Sequence, residues 1–202
     1  MKLFLARHGE SEANVLRVIS NRDVPHPLTE KGRGQALELA NALSGAAIRH
    51  VYTSPILRAR QTAEIVCERL GVNWTIADGL REFDCGVLEG RGDEDAWTTH
   101  LWVQRQWDAG DLDARIEGGE SHREVEARFR ETLREAERGS DETGDPVLFV
   151  THGALLYSML PLILSNLTNE RILEFGLKNA TVIEAVMTGV QGIGVRWNSE
   201  LL

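Results

Sequence analysis

Two apolar segments of this chain end in the same way, each on a histidine that is followed by a glycine. Residues 3–6 lead through Arg7 to His8 and Gly9, and residues 148–151 lead directly to His152 and Gly153. Short apolar runs of this kind are typical of buried strands. The buried interior of a strand favours apolar side chains, whereas a reactive site at the end of a strand can employ an imidazole. Because ligands of α/β folds bind at the carboxyl ends of the strands, we expect the two histidines to share one site.

Strand-like and helix-like segments alternate along the chain, which predicts an α/β fold with a mainly parallel sheet. The predicted strands are residues 2–6, 50–53, 74–77, 146–151, 181–187 and 192–197, of which the last two should form an antiparallel hairpin. Predicted helices begin at the N-cap Thr29, at Ser54 with Pro55 in the first helical position, at the capping box of Ser121 and Glu124, and at residue 154. We expect residues 1–202 to form one domain.

Residues 79–120 are the least regular part of the sequence and contain Trp97, Trp102 and Trp107. We interpret them as an excursion from the sheet that covers the active site. The four-residue spacing of Trp97 and Leu101 is more typical of ordinary helix packing than of a platform for aromatic substrates. Four histidines outside the two strand ends are predicted to lie at surface or capping positions: His26, His50, His100 and His122.

The charge and the apolar segments of the chain narrow its functional class. The 202 residues carry a formal net charge of -9 at pH 7, which disfavours general binding to nucleic acids and to membrane surfaces. The longest apolar stretch, residues 154–164, is too short to span a bilayer, and the apolar run at residues 3–6 is too short for a signal peptide. Cys67 and Cys85 have neither disulfide-framework nor metal-ligand spacing, which favours reduced thiols and a cytoplasmic location.

Arginines near the two histidines favour a phosphate ligand. Arg7 precedes His8, and a guanidinium binds two phosphate oxygens at once but repels a metal ion, so we expect no metal here. Arg58 and Arg60 lie near the start of the helix predicted at Ser54, where free N–H groups and the helix dipole also favour an anion. The dipole disfavours arginine at that end, so we expect at least one of the two to have a functional role.

Two histidines with arginines around a phosphate predict nucleophilic catalysis. A neutral imidazole nitrogen can attack phosphorus and hold the phosphoryl group as phosphohistidine. Its other ring nitrogen should donate to a fixed acceptor, and the leaving alkoxide needs a proton from a carboxylic acid. Glu82 and Asp84 are both candidates for that acid, and their spacing does not choose between them.

Six sequence blocks carry a family resemblance. They are Arg7-His8-Gly9-Glu10-Ser11 with Asn14; Pro27-Leu28-Thr29-Glu30-Lys31-Gly32 with Gln35 and Ala36; residues 53–63; Leu80-Arg81-Glu82 with Gly86, Glu89 and Gly90; Gly118-Gly119-Glu120-Ser121; and Val150-Thr151-His152-Gly153. In this order, and over most of the chain, they resemble the histidine phosphatase superfamily in its phosphoglycerate-mutase-like group.

The resemblance assigns roles to these residues. It implies that His8 is the nucleophile and that Glu82, rather than Asp84, donates the proton. The residues that would bind the substrate are Arg7, Asn14, Arg58, His152 and Gly153, and among them Arg7, Arg58 and His152 would also stabilise charge during catalysis. Arg60 falls outside the family motif, which leaves it as a solvated surface charge. The implied fold is a three-layer α/β/α sandwich with a mostly parallel sheet and neither a metal nor an organic cofactor.

Three functions are compatible with this resemblance: a phosphatase, a cofactor-dependent phosphoglycerate mutase and a non-catalytic phosphoester-binding module. Residues 83–95 are acidic and apolar rather than basic, and Ala13 stands where mutases resembling this family carry a tryptophan. Both features favour a phosphatase that acts on a small phosphorylated metabolite. The complete catalytic set disfavours a binding module. Residues 18–27 depart from the family pattern, so their substrate contacts are left open, and a homodimer is considered as the assembly.

Overall fold

A seven-stranded mixed sheet forms the centre of the computed structural model, which describes residues 1–22, 26–141 and 144–202. Its strands are β1 (Lys2–Arg7), β2 (His50–Thr53), β3 (Asn73–Ile76), β4 (Val147–Thr151), β5 (Val182–Thr188), β6 (Gln191–Trp197) and β7 (Glu200–Leu201). In the spatial order β3-β2-β4-β1-β5-β6-β7, the first four strands run parallel, and each of the last three runs antiparallel to the strand before it. This topology confirms the predicted α/β fold and its final hairpin. Of the loop that departs from the family pattern, residues 23–25 lie outside the described residues.

Helices cover both faces of the sheet. They are α1 (Glu12–Leu16), α2 (Glu30–Ala42), α3 (Leu57–Leu70), α4 (Glu94–Asp108), α5 (His122–Asp141), α6 (Gly153–Ile163) and α7 (Asn169–Phe175), with short 3-10 helices at Asp78–Leu80 and Gly86–Leu88. Side chains alternate between the two faces of a strand, so Phe4 and Ala6 pack with α2 and α3 whereas Leu3 and Leu5 pack with α5 and α6. The three-layer α/β/α sandwich is therefore confirmed.

The predicted capping residues begin two of these helices. Thr29 accepts the N–H of Gly32 and caps α2, while the Glu124 carboxylate accepts the N–H of Ser121 in the capping box of α5. Within the described residues, no helix combines the length and the apolar character that crossing a membrane requires.

The start of α3 differs from the prediction. The N-cap is Ile56, two residues later than the predicted cap Ser54, and the helix begins at Leu57. The hydroxyl oxygen of Ser54 accepts the N–H of Ile56 over 3.2 Å and also lies 2.8 Å from Nε2 of His152. Ser54 therefore combines a local contact before α3 with a contact to a residue at another strand end.

The three tryptophans of residues 79–120 do not form one cluster. Trp107 is buried and packs edge-on against Phe83, with ring centroids 4.9 Å apart. Trp97 is half-buried and lines a cavity at the strand ends, whereas Trp102 is exposed. Of the three tryptophans, only Trp107 thus belongs to the buried core, whereas Trp97 packs against it at the cavity.

The expected surface position of His100 is wrong, because this side chain is only 8% exposed. Its ring packs against Phe83 and Trp97. His122, the first residue of α5, is buried as well and packs against Trp107. Burial lowers the pKa of both imidazoles, that of His100 to about 4. Both histidines are therefore uncharged at neutral pH.

Burial of His100 should make the protein less stable in acid. Because its pKa is about 4 when folded against 6.5 as the ordinary value, the unfolded chain binds more protons between these pH values. Above pH 6.5, His100 is neutral in both states and the free energy of unfolding keeps its full value. As the pH falls toward 4, protonation of the unfolded chain lowers this free energy, by about 2 kcal/mol at pH 5. Denaturant unfolding at pH 7 and pH 5 measures it. His100→Gln should lose less stability on acidification by about that amount, and an equal loss in both proteins contradicts the prediction.

Candidate active site

The two strand-end histidines lie side by side. Strands β1 and β4 pair so that Arg7 lies opposite Thr151, and His8 and His152 each follow by one residue. Both imidazoles are buried, and their ring centroids are 5.1 Å apart with an interplanar angle of 62°. The parallel pairing thus brings both predicted histidines to one place at the edge of the sheet.

Hydrogen bonds fix the tautomer of His8. The Nε–H of Arg58 donates to His8 Nε2 over 2.9 Å, and because a guanidinium nitrogen only donates, Nε2 must carry a lone pair. The proton therefore lies on Nδ1, which donates to the carbonyl oxygen of Gly9 over 2.6 Å. Burial lowers the pKa of His8 well below 6.5, and the charges of Arg58 and Arg7 lower it further. His8 is thus a neutral imidazole with a free electron pair at neutral pH.

Two arginines adjoin this imidazole. Arg58 is the second residue of α3, and it also donates to the carbonyl oxygen of Ser20 over 2.6 Å. Burial lowers the pKa of Arg58 to about 10, which leaves it protonated at neutral pH. Arg7 lies so close to Gly153 that a Cβ at this glycine would be 3.2 Å from Arg7 Nε. A larger residue at position 153 would therefore press on the guanidinium, which explains the glycine after His152.

His152 is held by Ser54 from the second strand end. Its Nε2 lies 2.8 Å from the hydroxyl oxygen of Ser54, and its Nδ1 is buried without a hydrogen-bond partner among the described residues. Burial lowers the pKa of His152 well below 6.5, and the charge of Arg58 adds to this effect. His152 is therefore also a neutral imidazole at neutral pH.

Of the two candidate acids, Glu82 lies in the site. Its carboxylate accepts the N–H of Phe83 over 3.1 Å and the N–H of Ala154, near the start of α6, over 2.9 Å. Burial raises the pKa of Glu82, although the two backbone donors and the arginines act in the opposite direction. Asp84 pairs instead with Arg22 over 2.9 Å. A buried carboxyl group with a raised pKa is suited to donate a proton.

One cavity of about 350 Å³ joins these groups. Its lining includes Arg7, His8, Asn14, Arg58, Glu82 and Gly153 from the predicted set. His152 is not part of the described lining, although its ring centroid lies 5.1 Å from that of His8. Arg60 and Asp84 are not part of the described lining. A larger groove of about 860 Å³ beside α2 and β5 contains none of the predicted residues. The smaller cavity is therefore the candidate active site.

The residues that form this site lie within a segment that matches a protein-family model. The model, described as the histidine phosphatase superfamily (branch 1), matches residues 3–200. The chain belongs to the histidine phosphatase superfamily. The family resemblance of the six sequence blocks is thereby confirmed.

Relatives of this superfamily member include both phosphatases and a mutase. A probable phosphoglycerate mutase, GpmB, from Salmonella choleraesuis is 34% identical over 164 residues, which cover 81% of this chain and 75% of the relative. A mycobacterial glucosyl-3-phosphoglycerate phosphatase structure is 26% identical, with a TM-score of 0.79 over 98% of this chain and 99% of its own. The α-ribazole phosphatase of Shigella flexneri is 25% identical, with a TM-score of 0.76 over 100% and 98%.

Asn179 contacts the active site of this superfamily member without a sequence signal that predicts it. Its side-chain amide donates to the carbonyl oxygen of His8 and to Oδ1 of Asn14, each over 3.2 Å. Asn14 Oδ1 also accepts the N–H of Ser11 over 3.0 Å. Asn14 thus orients the loop after His8. Asn179 lies outside all six blocks, so one sequence alone gives no reason to select it.

An ion pair holds the backbone that carries Glu82. Arg128 of α5 donates to the carbonyl oxygens of Gly79 over 2.8 Å and of Arg81 over 2.9 Å. The same guanidinium pairs with Glu120 over 2.8 Å, and both side chains are mostly buried. Arg128 therefore fixes the segment that leads into Glu82.

Replacing Arg128 by methionine should destabilise the protein by about 3 kcal/mol, because Glu120 then remains as a mostly buried charge without its partner. Arg134→Met is the matched control, because the pair of Arg134 with Glu131 on the same helix is exposed. That variant should lose about 0.5 kcal/mol. Denaturant unfolding compares the two variants, and equal losses contradict the prediction.

Proposed function

We propose that this protein is a metal-independent phosphomonoesterase that acts on a small phosphorylated metabolite through a phosphohistidine on His8. The observation that carries the proposal is the lone pair of His8 Nε2, which accepts the N–H of Arg58. If a phosphoryl oxygen replaces His8 Nε2 as the acceptor of the Arg58 N–H, the phosphorus atom lies in front of the lone pair of Nε2. The bond from Nδ1 to the Gly9 carbonyl oxygen supports the positive charge that develops on the ring.

In the first step, the phosphoryl group moves to His8. Arg7, Arg58 and His152 bind the phosphoryl oxygens and stabilise the charge that spreads over them. His8 Nε2 forms a bond to phosphorus while the bond between phosphorus and the ester oxygen breaks. Glu82 gives its proton to that oxygen, so that a neutral alcohol leaves.

In the second step, water removes the phosphoryl group. The ionised Glu82 takes a proton from water as the water oxygen bonds to phosphorus, and the bond from phosphorus to His8 breaks. Inorganic phosphate is released, and both Glu82 and His8 return to their starting protonation states. Water is the single co-reactant.

A phosphoglycerate mutase is the second candidate, and the 34% identity to the Salmonella relative favours it. A mutase must exclude water and hold a sugar acid with a second anionic group, which calls for additional cations. Among the described residues that line the cavity, the arginines are Arg7 and Arg58, and no lysine is present. Ala13 lines the same cavity and adds no anchoring group. These features support hydrolysis rather than transfer between two phosphate positions.

Hydrolysis of p-nitrophenyl phosphate in the presence of a chelator tests the proposal. We expect release of inorganic phosphate and, after denaturation in alkali, which preserves phosphohistidine, a mass increase of one phosphoryl group on the peptide that contains His8. Phosphoglycerate interconversion that requires a diphosphoglycerate, with marginal hydrolysis, identifies the mutase instead. Phosphate binding without turnover or phosphoenzyme identifies a binding module and contradicts the proposal.

A further inference from the structure

The side chain of Glu89 binds the main chain of the loop that follows α1. Both oxygens of its carboxylate accept the N–H of Asn21, over 3.1 and 3.0 Å, and Oε1 also accepts the N–H of Arg22 over 3.1 Å. Glu89 is half-buried and lies outside the described lining of the active-site cavity. A carboxylate that accepts two consecutive N–H groups fixes the main chain at that point.

The N–H of Asn21 belongs to the same peptide group as an oxygen that Arg58 binds. The carbonyl oxygen of Ser20 and the N–H of Asn21 lie on opposite sides of one planar trans peptide. On the carbonyl side, Arg58 Nη1 donates to Ser20 over 2.6 Å. On the other side, the Glu89 carboxylate accepts the N–H. The peptide thus joins a carboxylate to a guanidinium through two hydrogen bonds, each of which polarises the other.

The contact with Ser20 becomes more important for Arg58 when a phosphoryl group binds. In the structure, a second nitrogen of the guanidinium, Nε, donates to His8 Nε2 over 2.9 Å. Under the proposed function, a phosphoryl oxygen replaces His8 as the acceptor of that N–H. The bond from Nη1 to Ser20 then remains as a contact that holds the planar guanidinium in place. Any group that fixes the Ser20 carbonyl oxygen therefore also orients Arg58 toward the phosphate.

The main chain around Glu89 is tied to the same loop. The N–H of Gly90 donates to the carbonyl oxygen of Ile19 over 2.8 Å, and the N–H of Ile19 donates to the carbonyl oxygen of Arg91 over 2.8 Å. These bonds flank the contact that the Glu89 carboxylate makes with the loop. The carboxylate and the peptide that it binds are therefore held at a fixed separation.

The charge of Glu89 also acts on Arg58. Burial lowers the pKa of Arg58, while the carboxylates of Glu82 and Glu89 raise it. Glu82 exchanges its proton during the proposed reaction, whereas Glu89 has no part in proton transfer. Glu89 is thus a constant counter-charge for the buried guanidinium.

We propose that Glu89 is a positioning residue of the active site, which holds Arg58 in its phosphate-binding orientation through the peptide between Ser20 and Asn21. This inference rests on the proposed phosphatase function and adds a residue that contacts neither the substrate nor His8. The family resemblance includes Glu89 in its fourth sequence block without assigning it a role.

Isothermal titration calorimetry with orthovanadate, a phosphate analogue, tests the proposal without requiring turnover. Glu89→Met preserves the length of the side chain but removes both acceptors, so the dissociation constant should rise about tenfold or more. The number of binding sites per chain should not change. A merely structural role would instead reduce the number of sites at the native dissociation constant, and that result overturns the proposal. Glu89→Ala provides the same test if Glu89→Met does not fold.

The conservative variant Glu89→Gln should restore binding. Its amide oxygen can occupy the position of Oε1, which accepts the N–H groups of both Asn21 and Arg22. We therefore expect a dissociation constant for orthovanadate within about threefold of the native value. A loss equal to that of Glu89→Met shows that the charge alone matters, and it overturns positioning through the peptide.

Arg22→Ala is the matched control on the same loop. It removes the exposed side-chain bonds to Asp84 and to the carbonyl oxygen of Gly118, but it keeps the main-chain N–H that Glu89 accepts. Binding of orthovanadate should stay within about twofold of the native value. If Arg22→Ala weakens binding as much as Glu89→Met does, general anchoring of the loop is responsible and the role of Glu89 is overturned.

A double-mutant cycle with Arg58→Lys tests the route of the effect. Lysine has a single terminal nitrogen and cannot reproduce the two fixed contacts of the guanidinium. In the Arg58→Lys background, Glu89→Met should therefore weaken binding of orthovanadate by less than about twofold. An undiminished tenfold loss in that background shows that Glu89 acts independently of Arg58 and overturns the proposal.

Failure of this inference can be told apart from failure of the proposed function. If the native protein neither binds orthovanadate nor hydrolyses p-nitrophenyl phosphate, both are overturned. If the native protein binds orthovanadate without hydrolysing esters, the phosphatase is overturned and the titrations alone decide the role of Glu89. If hydrolysis depends on His8 but Glu89→Met binds orthovanadate as tightly as the native protein, the phosphatase stands and the role of Glu89 is overturned.

Discussion

Replacement of His8 by alanine is expected to lower kcat/KM for p-nitrophenyl phosphate by about 10⁴-fold or more. The large loss follows because the substitution removes the atom that accepts the phosphoryl group while Arg7 and Arg58 remain to bind it. Initial rates in the presence of a chelator measure the loss. Mass spectrometry after denaturation in alkali should no longer detect a phosphoenzyme.

His50→Ala is the control for removal of an imidazole. His50 lies at the start of β2, where it contacts the hydroxyl of Thr75 over 2.9 Å, and it does not line the described cavity. Its variant should retain the native rate. Activity that survives in His8→Ala, or that disappears equally in both variants, contradicts the role of His8.

Replacement of Glu82 by glutamine should separate substrates by the basicity of their leaving groups. An alkyl phosphate needs a proton on its leaving oxygen, so its turnover should fall by about 10²- to 10⁴-fold. p-Nitrophenolate is a weak base and leaves without that proton, so its release should fall much less. Rates of both esters are compared in native protein and in Glu82→Gln.

The pH profile of turnover and the variant Asp84→Asn provide two controls for this prediction. Glu82 donates only when protonated, and because burial raises its pKa, alkyl ester turnover should decline as the pH rises through that raised value. This decline should be absent in Glu82→Gln. Asp84→Asn removes a carboxylate that pairs with Arg22 outside the cavity and should keep the native preference for substrates. Equal losses on both ester types in Glu82→Gln contradict its role as an acid.

The strand ends and the two histidines could be predicted from the sequence, because the signal is local. A short apolar run that ends in His-Gly contains both the strand and the residue at its end, and parallel pairing then brings His8 and His152 together. The helix starts at Thr29 and Ser121 are predictable for the same reason, since a cap bonds within its own first turn.

Contacts between distant segments could not be predicted in this way. Ser54 has the local pattern of a helix cap, yet its hydroxyl lies next to His152, which is 98 residues away. Asn179 bonds to the carbonyl oxygen of His8 across 171 residues. The choice of Glu82 over Asp84 depends on burial and on the N–H of Ala154, neither of which spacing reveals. His100 is buried because α4 packs its ring against Phe83, which lies in a separate segment before the helix.

The pairing of β1 with β4 has a consequence for how this protein can acquire new substrates. Neighbouring strands lie about 4.8 Å apart, and the imidazoles that follow Arg7 and Thr151 are separated by a similar 5.1 Å. Main-chain hydrogen bonds in the sheet, which side-chain substitutions on α4 or α7 do not alter, therefore set the spacing of the reactive rings. Under the proposed function, mutations on these two helices would alter the lining of the cavity without altering the spacing of the two imidazoles. Selectivity and catalysis are thus free to evolve independently in this scaffold.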